Sequence, residues 1–239
     1  MVTRQTANWI RKSHRYLGIF LGIQFFLWTI SGLYFSWTDI DEIHGDHFRA
    51  EVEPLKHKEL ISFNELDYND PVESLELRTI GEQPYYWINN EQLLHARTGE
   101  RKSEISQTEA LEQATRHMRS DLKVLSVDRL TEVGKHHEYR GRSLPAYVVN
   151  YDHPENVKAY ISAKDGSFQR VRFRSWRWFD FLWMTHTMDY EGRDDFNTTL
   201  LRAFSVLGLI TIMSGFLLWF ITSNSIKNLI NRKKQIDER

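Results

Sequence analysis

Two uncharged apolar blocks, one near each end of the chain, constrain the fold more than any other feature. The first runs from Tyr16 to Trp37 (YLGIFLGIQFFLWTISGLYFSW), with Gln24 as its only strongly polar side chain. The second runs from Ala203 to Ile221 (AFSVLGLITIMSGFLLWFI). A hydrocarbon core about 30 Å thick needs about 20 apolar residues in a helix, so each block predicts a transmembrane helix. The basic stretch Arg11-Lys12-Ser13-His14-Arg15 would suit a cleaved signal peptide. The apolar run behind it is too long for one, however, and it ends in Tyr34, Phe35 and Trp37 in place of a small-x-small cleavage site. The first block therefore reads as an uncleaved anchor.

The flanking charges set an orientation. Arg4, Arg11, Lys12 and Arg15 precede the first block, and Lys227, Arg232, Lys233 and Lys234 follow the second. The opposite flanks are acidic: Asp39, Asp41 and Glu42 after the first block, Glu191, Asp194 and Asp195 before the second. Because lysine and arginine stay on the cytoplasmic side, both termini are expected inside and the centre outside. In a diderm bacterium that is an inner-membrane protein with a periplasmic domain. The net charge of −1 points to no polyanionic partner, and no stripe of basic residues suggests nucleic acid. The absence of cysteine excludes disulfides, iron–sulfur clusters, thiolate haem ligation and cysteine nucleophiles. Most of the eight tryptophans lie near the apolar blocks, as in an interfacial aromatic belt.

The predicted organisation is a cytoplasmic segment 1–15, a transmembrane helix 16–37, a periplasmic domain 38–174, an interfacial amphipathic helix 175–190, a second transmembrane helix 203–221 and a cytoplasmic tail 222–239. The fold class is an α+β membrane protein, its outer domain a helix packed on antiparallel sheet. Ser106 and Glu109 form a capping-box pattern, and Ala110, Leu111, Ala114 and Met118 then recur at helical spacing. Strand-forming segments follow at 123–133, 144–151, 157–163 and 168–173, with Asp165-Gly166 as a hairpin turn between the last two. A fainter copy lies upstream. Ser62 and Glu65 repeat the capping box before a short helix-like segment; Tyr85–Asn89 resembles Ala146–Asn150, and Ala96–Gly99 resembles Ala163–Gly166. Two tandem units, 59–100 and 103–173, account for both.

The pattern S-x-x-E-A-x-x-x-A, strand, Y-x-V, strand, A-x-D-G resembles the PepSY domain, and the flanks resemble PepSY-associated transmembrane proteins. In that family the first span opens with H-R-x-L-G-x-x-x-G and later carries S-G or T-G. Here these are His14-Arg15-Tyr16-Leu17-Gly18 with Gly22, and Ser31-Gly32. Before the second span stands an L-H-x-G-like segment, here Met184-Thr185-His186-Thr187 with Gly192, followed by Leu207-Gly208 and Ser214-Gly215. The resemblance covers nearly the whole chain. The longer members have about four spans and look like inner-membrane reductases, including ferric-siderophore reductases with b-type haem on membrane histidines. This chain has two spans, so the rest of such a scaffold would come from a homodimer or a partner membrane subunit.

The resemblance implies His14 and His186 as ligands of haem iron. One haem cannot take both, because they lie near opposite ends of a span about 30 Å long. A symmetry mate or a haem-carrying partner would supply the second ligand at each. A histidine among interfacial arginines is also an ordinary headgroup contact. Gly18 and Gly22 form a G-x-x-x-G that suits close helix packing, within the chain or in a dimer, or space for a flat macrocycle. His44, Asp46 and His47 have ligand-type side chains at short spacing and could bind a transition metal, but a solvated juxtamembrane loop fits better, because the acidic residues also suit the outer flank. His136-His137 reads as a surface loop. No nucleophile elbow, H-E-x-x-H, phosphate loop or dinucleotide fingerprint is present, so flavin or nicotinamide sites are expected on another protein.

Three functions follow as expectations. The first is an inner-membrane electron-transfer subunit of PepSY-reductase type, carrying b-type haem between spans of a dimer or complex and linked to iron uptake. Its electron donor and acceptor are not legible here. The second is a non-enzymatic, membrane-anchored interaction or regulatory module. The third is a metal-binding accessory protein using His44, Asp46 and His47.

Overall fold

The computed structural model describes residues 4–223; Lys227, Arg232, Lys233 and Lys234 lie outside them. The chain divides into two units, Met1–Trp37 with Phe181–Arg239, and Thr38–Asp180.

The first unit is built on two helices long and apolar enough to cross a membrane. Helix α1 is Arg4–Trp37, about 51 Å at 1.5 Å per residue. Its inward residues are His14, Leu17, Leu21, Gln24, Trp28, Ser31 and Phe35, spaced alternately by three and four. That is the seam of a left-handed helix pair. Ile19, Phe20, Ile23, Phe26 and Leu33 point outward and are exposed. The last helix, α5 (Thr199–Thr222), runs back against α1: its Gly208 faces the Phe25 ring and its Gly215 faces the His14 ring. A Cβ at Gly208 would stand 2.9 Å from Phe25, so the glycine is what lets that ring seat. Gly18 and Gly22 do not serve this packing, for a Cβ at either would meet nothing within 4 Å. Within the chain, the glycines of the second span make the close approach, and those of the first leave an open lane.

The second unit carries helix α2 (Ile40–His44), helix α3 (Gln107–His117) and eight strands. Strands β1 (Leu75–Ile80), β2 (Gln83–Ile88), β3 (Gln92–His95) and β4 (Arg101–Lys102) form one antiparallel sheet in sequential order. Strands β5 (Val124–Leu130), β6 (Ala146–Tyr151), β7 (Lys158–Ser162) and β8 (Phe168–Arg172) form another in the same order.

The two sheets share specific bonds. Ile61 N–H donates to Ala96 O as Ile105 N–H donates to Ala163 O, at 3.0 and 2.8 Å. The Tyr86 hydroxyl donates to Ile61 O at 2.9 Å, and the Tyr147 hydroxyl to Ile105 O at 3.3 Å. Gly99 and Gly166 close the turns after β3 and β7 with φ of +76° and +68°, a region that favours glycine.

The helices are where the sheets differ. At α3 both bonds of the capping box form, and Ala110, Gln113 and Ala114 are buried. The upstream Ser62 makes no side-chain cap bond, and the expected helix is a single 3₁₀ turn, Phe63–Glu65. The residues after it, Asp67, Asn69, Asp70 and Pro71, are turn formers with no helical apolar repeat. Ile61, Phe63, Leu66 and Tyr68 cover instead the sheet face carrying Ile88 and Leu94. The opposite face, with Tyr85, Trp87 and Leu93, joins the core around α3 and the second sheet.

Helix α4 (Arg174–Thr187) follows β8, and its first turns are tied to the second sheet by charge. Glu138 accepts from Arg177 at 2.6 Å and from the Tyr160 hydroxyl at 2.7 Å, and Arg140 pairs with Asp180 at 2.6 Å. Arg172 lies 3.8 Å above the Trp176 ring. Burial pushes the Glu138 carboxyl up, but the bonds from Arg177 and Tyr160 and the charges of Arg177 and Lys158 outweigh it and hold it below its ordinary range. Burial, with Arg170 beside it, lowers Arg172 to about 9.

Candidate functional site

Both histidines of interest face the interior of the helix pair. His14 sits on α1 two residues before the apolar block, and its Nδ1 lies 2.8 Å from Ser214 Oγ and 3.2 Å from Thr211 O on α5. Its ring rests on Gly215, where a Cβ would come within 3.1 Å. His186 lies in the last turn of α4, and its Nδ1 is 2.7 Å from Ser31 Oγ on α1. Its ring packs edge-on against Phe35 at 5.6 Å and lies above Gly32. Each imidazole thus enters a Ser-Gly notch on another segment. The notches are built alike: the serine bonds back to a carbonyl of its own helix, and the glycine leaves room for a ring. No described residue hydrogen-bonds to Nε2 of either histidine.

The two sites are separate. His14 and Ser31 are 17 positions apart on α1, about 26 Å along the axis. Each site offers one imidazole per chain.

The end of α4 is held from α1 as well. Gln24 Nε2 donates to Thr185 O at 3.2 Å, and Trp28 Nε1 donates to His186 O at 2.8 Å. These carbonyls belong to the final turn of a helix and have no acceptor role within it. Gln24, the one strongly polar side chain of the first block, is 7% exposed and is spent on this cap. After α4 the Asp189 carboxylate accepts from the backbone N–H groups of Glu191, Gly192, Asp194 and Asp195, at 2.9 to 3.2 Å. That bond set fixes the turn into α5, whose first turn is capped by Thr198.

The other histidines are placed differently. His44 ends α2 and is exposed, Asp46 pairs with Arg49 at 3.3 Å, and the His47 ring lies 4.0 Å from Phe48 and 5.2 Å from Phe173. Among the described residues no three His, Cys, Asp or Glu side chains are grouped to hold a metal ion. His136 is exposed in the loop between β5 and β6, where His137 Nδ1 accepts from Tyr139 N–H.

Sequence reasoning singled out both histidines and both Ser-Gly pairs without joining them. The available signal was that each dipeptide interrupts an apolar block while one histidine precedes each block, His14 by two residues and His186 by 17. The cap by Gln24 and Trp28 left no comparable trace, because it depends on where α4 ends in space. No protein-family model matches the sequence, and neither a curated protein nor a solved structure resembles the chain at a significant level.

Proposed function

We propose that this chain is an inner-membrane electron-transfer subunit of PepSY-reductase type, with b-type haem held at His14 and His186 and a link to iron uptake. The observation that carries the reading is that both histidines turn into the helix pair, tied through Nδ1, while no described residue bonds to Nε2. Metal-binding histidines are oriented in this way, by a hydrogen bond at the nitrogen that does not ligate. Gly18 and Gly22, one and two turns beyond His14, leave open space beside the helix, since a Cβ at either would meet nothing within 4 Å. The residue pattern resembling PepSY proteins supplies the chemical identity of the group. When bound, haem supplies one-electron chemistry; this chain supplies one imidazole per site, their orientation and an apolar surround. The second ligand at each site comes from a second copy or a partner membrane subunit.

The membrane placement belongs to the same proposal. Both apolar helices bury small and polar residues and expose Ile19, Ile23, Phe26, Leu209, Met213 and Phe216. In water that surface would drive aggregation, whereas in lipid it is the ordinary exterior. The charge asymmetry then puts both termini in the cytoplasm and the two-sheet unit in the periplasm. A reduced-minus-oxidised absorption spectrum of the full chain, purified in mild detergent with haem supplied during expression, tests the reading. A sharp b-type α band is expected, reduced in His14→Ala and in His186→Ala. A flat spectrum from folded protein overturns it for the chain alone.

A second reading, a membrane-anchored interaction module, is favoured by one observation. Strands β1 and β5 are sheet edges, and Leu75, Leu77 and Leu125 stand exposed on them, Leu125 by 72%. An open edge with apolar side chains can accept a partner strand. A photo-crosslinking residue at position 125 would form a discrete adduct in native membranes under this reading, and none under the first.

A further inference from the structure

Six contacts around the two serines bear on which nitrogen of each histidine carries the proton. At the first site, Ser214 Oγ donates its only proton to Thr211 O at 2.7 Å. Toward His14 Nδ1, 2.8 Å away, Ser214 Oγ is therefore an acceptor. The second neighbour of that nitrogen is Thr211 O at 3.2 Å, a carbonyl that can only accept. At the second site, Ser31 Oγ donates to Leu27 O at 2.7 Å, with Trp28 O at 3.2 Å as the alternative. With two carbonyls of its own helix in reach of its one proton, Ser31 Oγ is placed to accept from His186 Nδ1 at 2.7 Å. With each serine proton placed on a carbonyl of its own helix, every atom facing either Nδ1 is an acceptor, and each Nδ1 then bears hydrogen.

We infer that Ser31 and Ser214 are positioning residues that hold His186 and His14 in the Nδ1–H tautomer, leaving the Nε2 lone pair free for an electron-pair acceptor. Neutral histidine in solution favours the opposite tautomer, with hydrogen on Nε2. Left to itself, each ring would thus offer an N–H where a metal centre needs a lone pair. The serine reverses that preference without introducing a charge, which suits an apolar surround where a carboxylate partner would be costly. The glycine next to each serine completes the device: Gly32 and Gly215 leave the ring room to lie flat against the helix that holds it. The same dipeptide thus does the same work twice, on two helices and at two levels. Only the identity of what Nε2 meets rests on the haem proposal; the tautomer assignment stands on the hydrogen bonds.

The two sites differ in one respect that makes the inference testable. His186 Nδ1 has Ser31 as its acceptor, whereas His14 Nδ1 has Thr211 O behind Ser214. The experiment is a two-bond proton–nitrogen correlation spectrum of the full-length, histidine-labelled protein without haem in lipid nanodiscs, with His14→Ala and His186→Ala to assign the rings. Both rings are expected to show Nδ1–H and a bare Nε2. Ser31→Ala is expected to lose that pattern at His186 alone, and Ser31→Thr to keep it. Ser214→Ala is expected to weaken it at His14 without abolishing it. Wild-type rings carrying hydrogen on Nε2, or a His186 pattern unmoved by Ser31→Ala, overturn the inference. If Ser31→Ala does not fold, the wild-type spectrum still decides. A locked tautomer in protein that takes up no haem contradicts the functional proposal alone. Where haem does bind, the α band or midpoint potential of the His186 site is expected to shift in Ser31→Ala and return in Ser31→Thr.

Discussion

The helix pair and the two-sheet unit handle buried polar groups in opposite ways. In the sheet unit the interior is apolar, and its buried carboxylates are paired with cations: Glu138 with Arg177 and Lys158, Asp180 with Arg140. In the helix pair the exterior is apolar, and the inward polar groups, Gln24, Ser31, Thr211, Ser214 and the two histidines, are bonded to hydroxyls and carbonyls. The Glu138 oxygens are taken up by Arg177, Tyr160 and Lys158. An imidazole held by one nitrogen has the other in reserve. The difference separates a charge network that fixes α4 to its sheet from a pair of sites suited to chemistry.

The largest expected effect is on the matched side. Glu138→Ala strips a carboxylate from Arg177, Tyr160 and Lys158 and should destabilise the two-sheet unit by about 3 kcal/mol, read by urea unfolding. Any haem absorbance should survive it. The pH dependence follows from the same group. Its native pKa lies below the unfolded value, so its contribution is complete above the ordinary glutamate range and is lost as pH falls through the native value. Wild type should therefore be more stable than Glu138→Gln at neutral pH, and the gap should close as pH falls through the native value. An unchanged acid limb would mean that the network contributes little.

On the helix side, Gly208→Val drives a side chain into the Phe25 ring and should cost about 1–3 kcal/mol in thermal unfolding in detergent. Gly22→Val meets nothing within the chain and should leave that transition in place. Equal losses from the two would break the distinction between the glycines that pack and those that leave a lane. The smallest effect is at the end of α4, where Trp28→Phe removes one N–H from the His186 carbonyl and should cost about 1 kcal/mol. A difference in hydrogen exchange confined to 185–187 checks this.

Much of this architecture was legible in the sequence. The apolar blocks locate α1 and α5, although α1 begins twelve residues before the first block, at Arg4, because nothing in residues 4–15 breaks a helix. The four strands of the second sheet and the capping box of α3 fall where alternation and S-x-x-E place them. The same S-x-x-E at Ser62 gives only one turn, since a cap can start a helix but not sustain one through Asp67–Pro71. The G-x-x-x-G at Gly18 was the natural candidate for packing within the chain, yet Gly208 and Gly215 take that role. Spacing shows which faces are smooth, not which face a partner chooses. The segment 175–190, read as an interfacial helix, forms α4 at Arg174–Thr187, and its end docks on α1 through carbonyl contacts that no periodicity encodes. The arginines at 140, 170, 172 and 177 carried no motif, and their pairing with Glu138 and Asp180 exists only in three dimensions.

The most direct test of the account is a potentiometric titration of the α band in wild type, His14→Ala and His186→Ala, each reconstituted with haem. Two independent sites about 26 Å apart along α1 predict two redox components in wild type, with a different one missing from each variant. No haem absorbance in folded wild-type protein, or two components that persist in both variants, would contradict the assignment of these histidines.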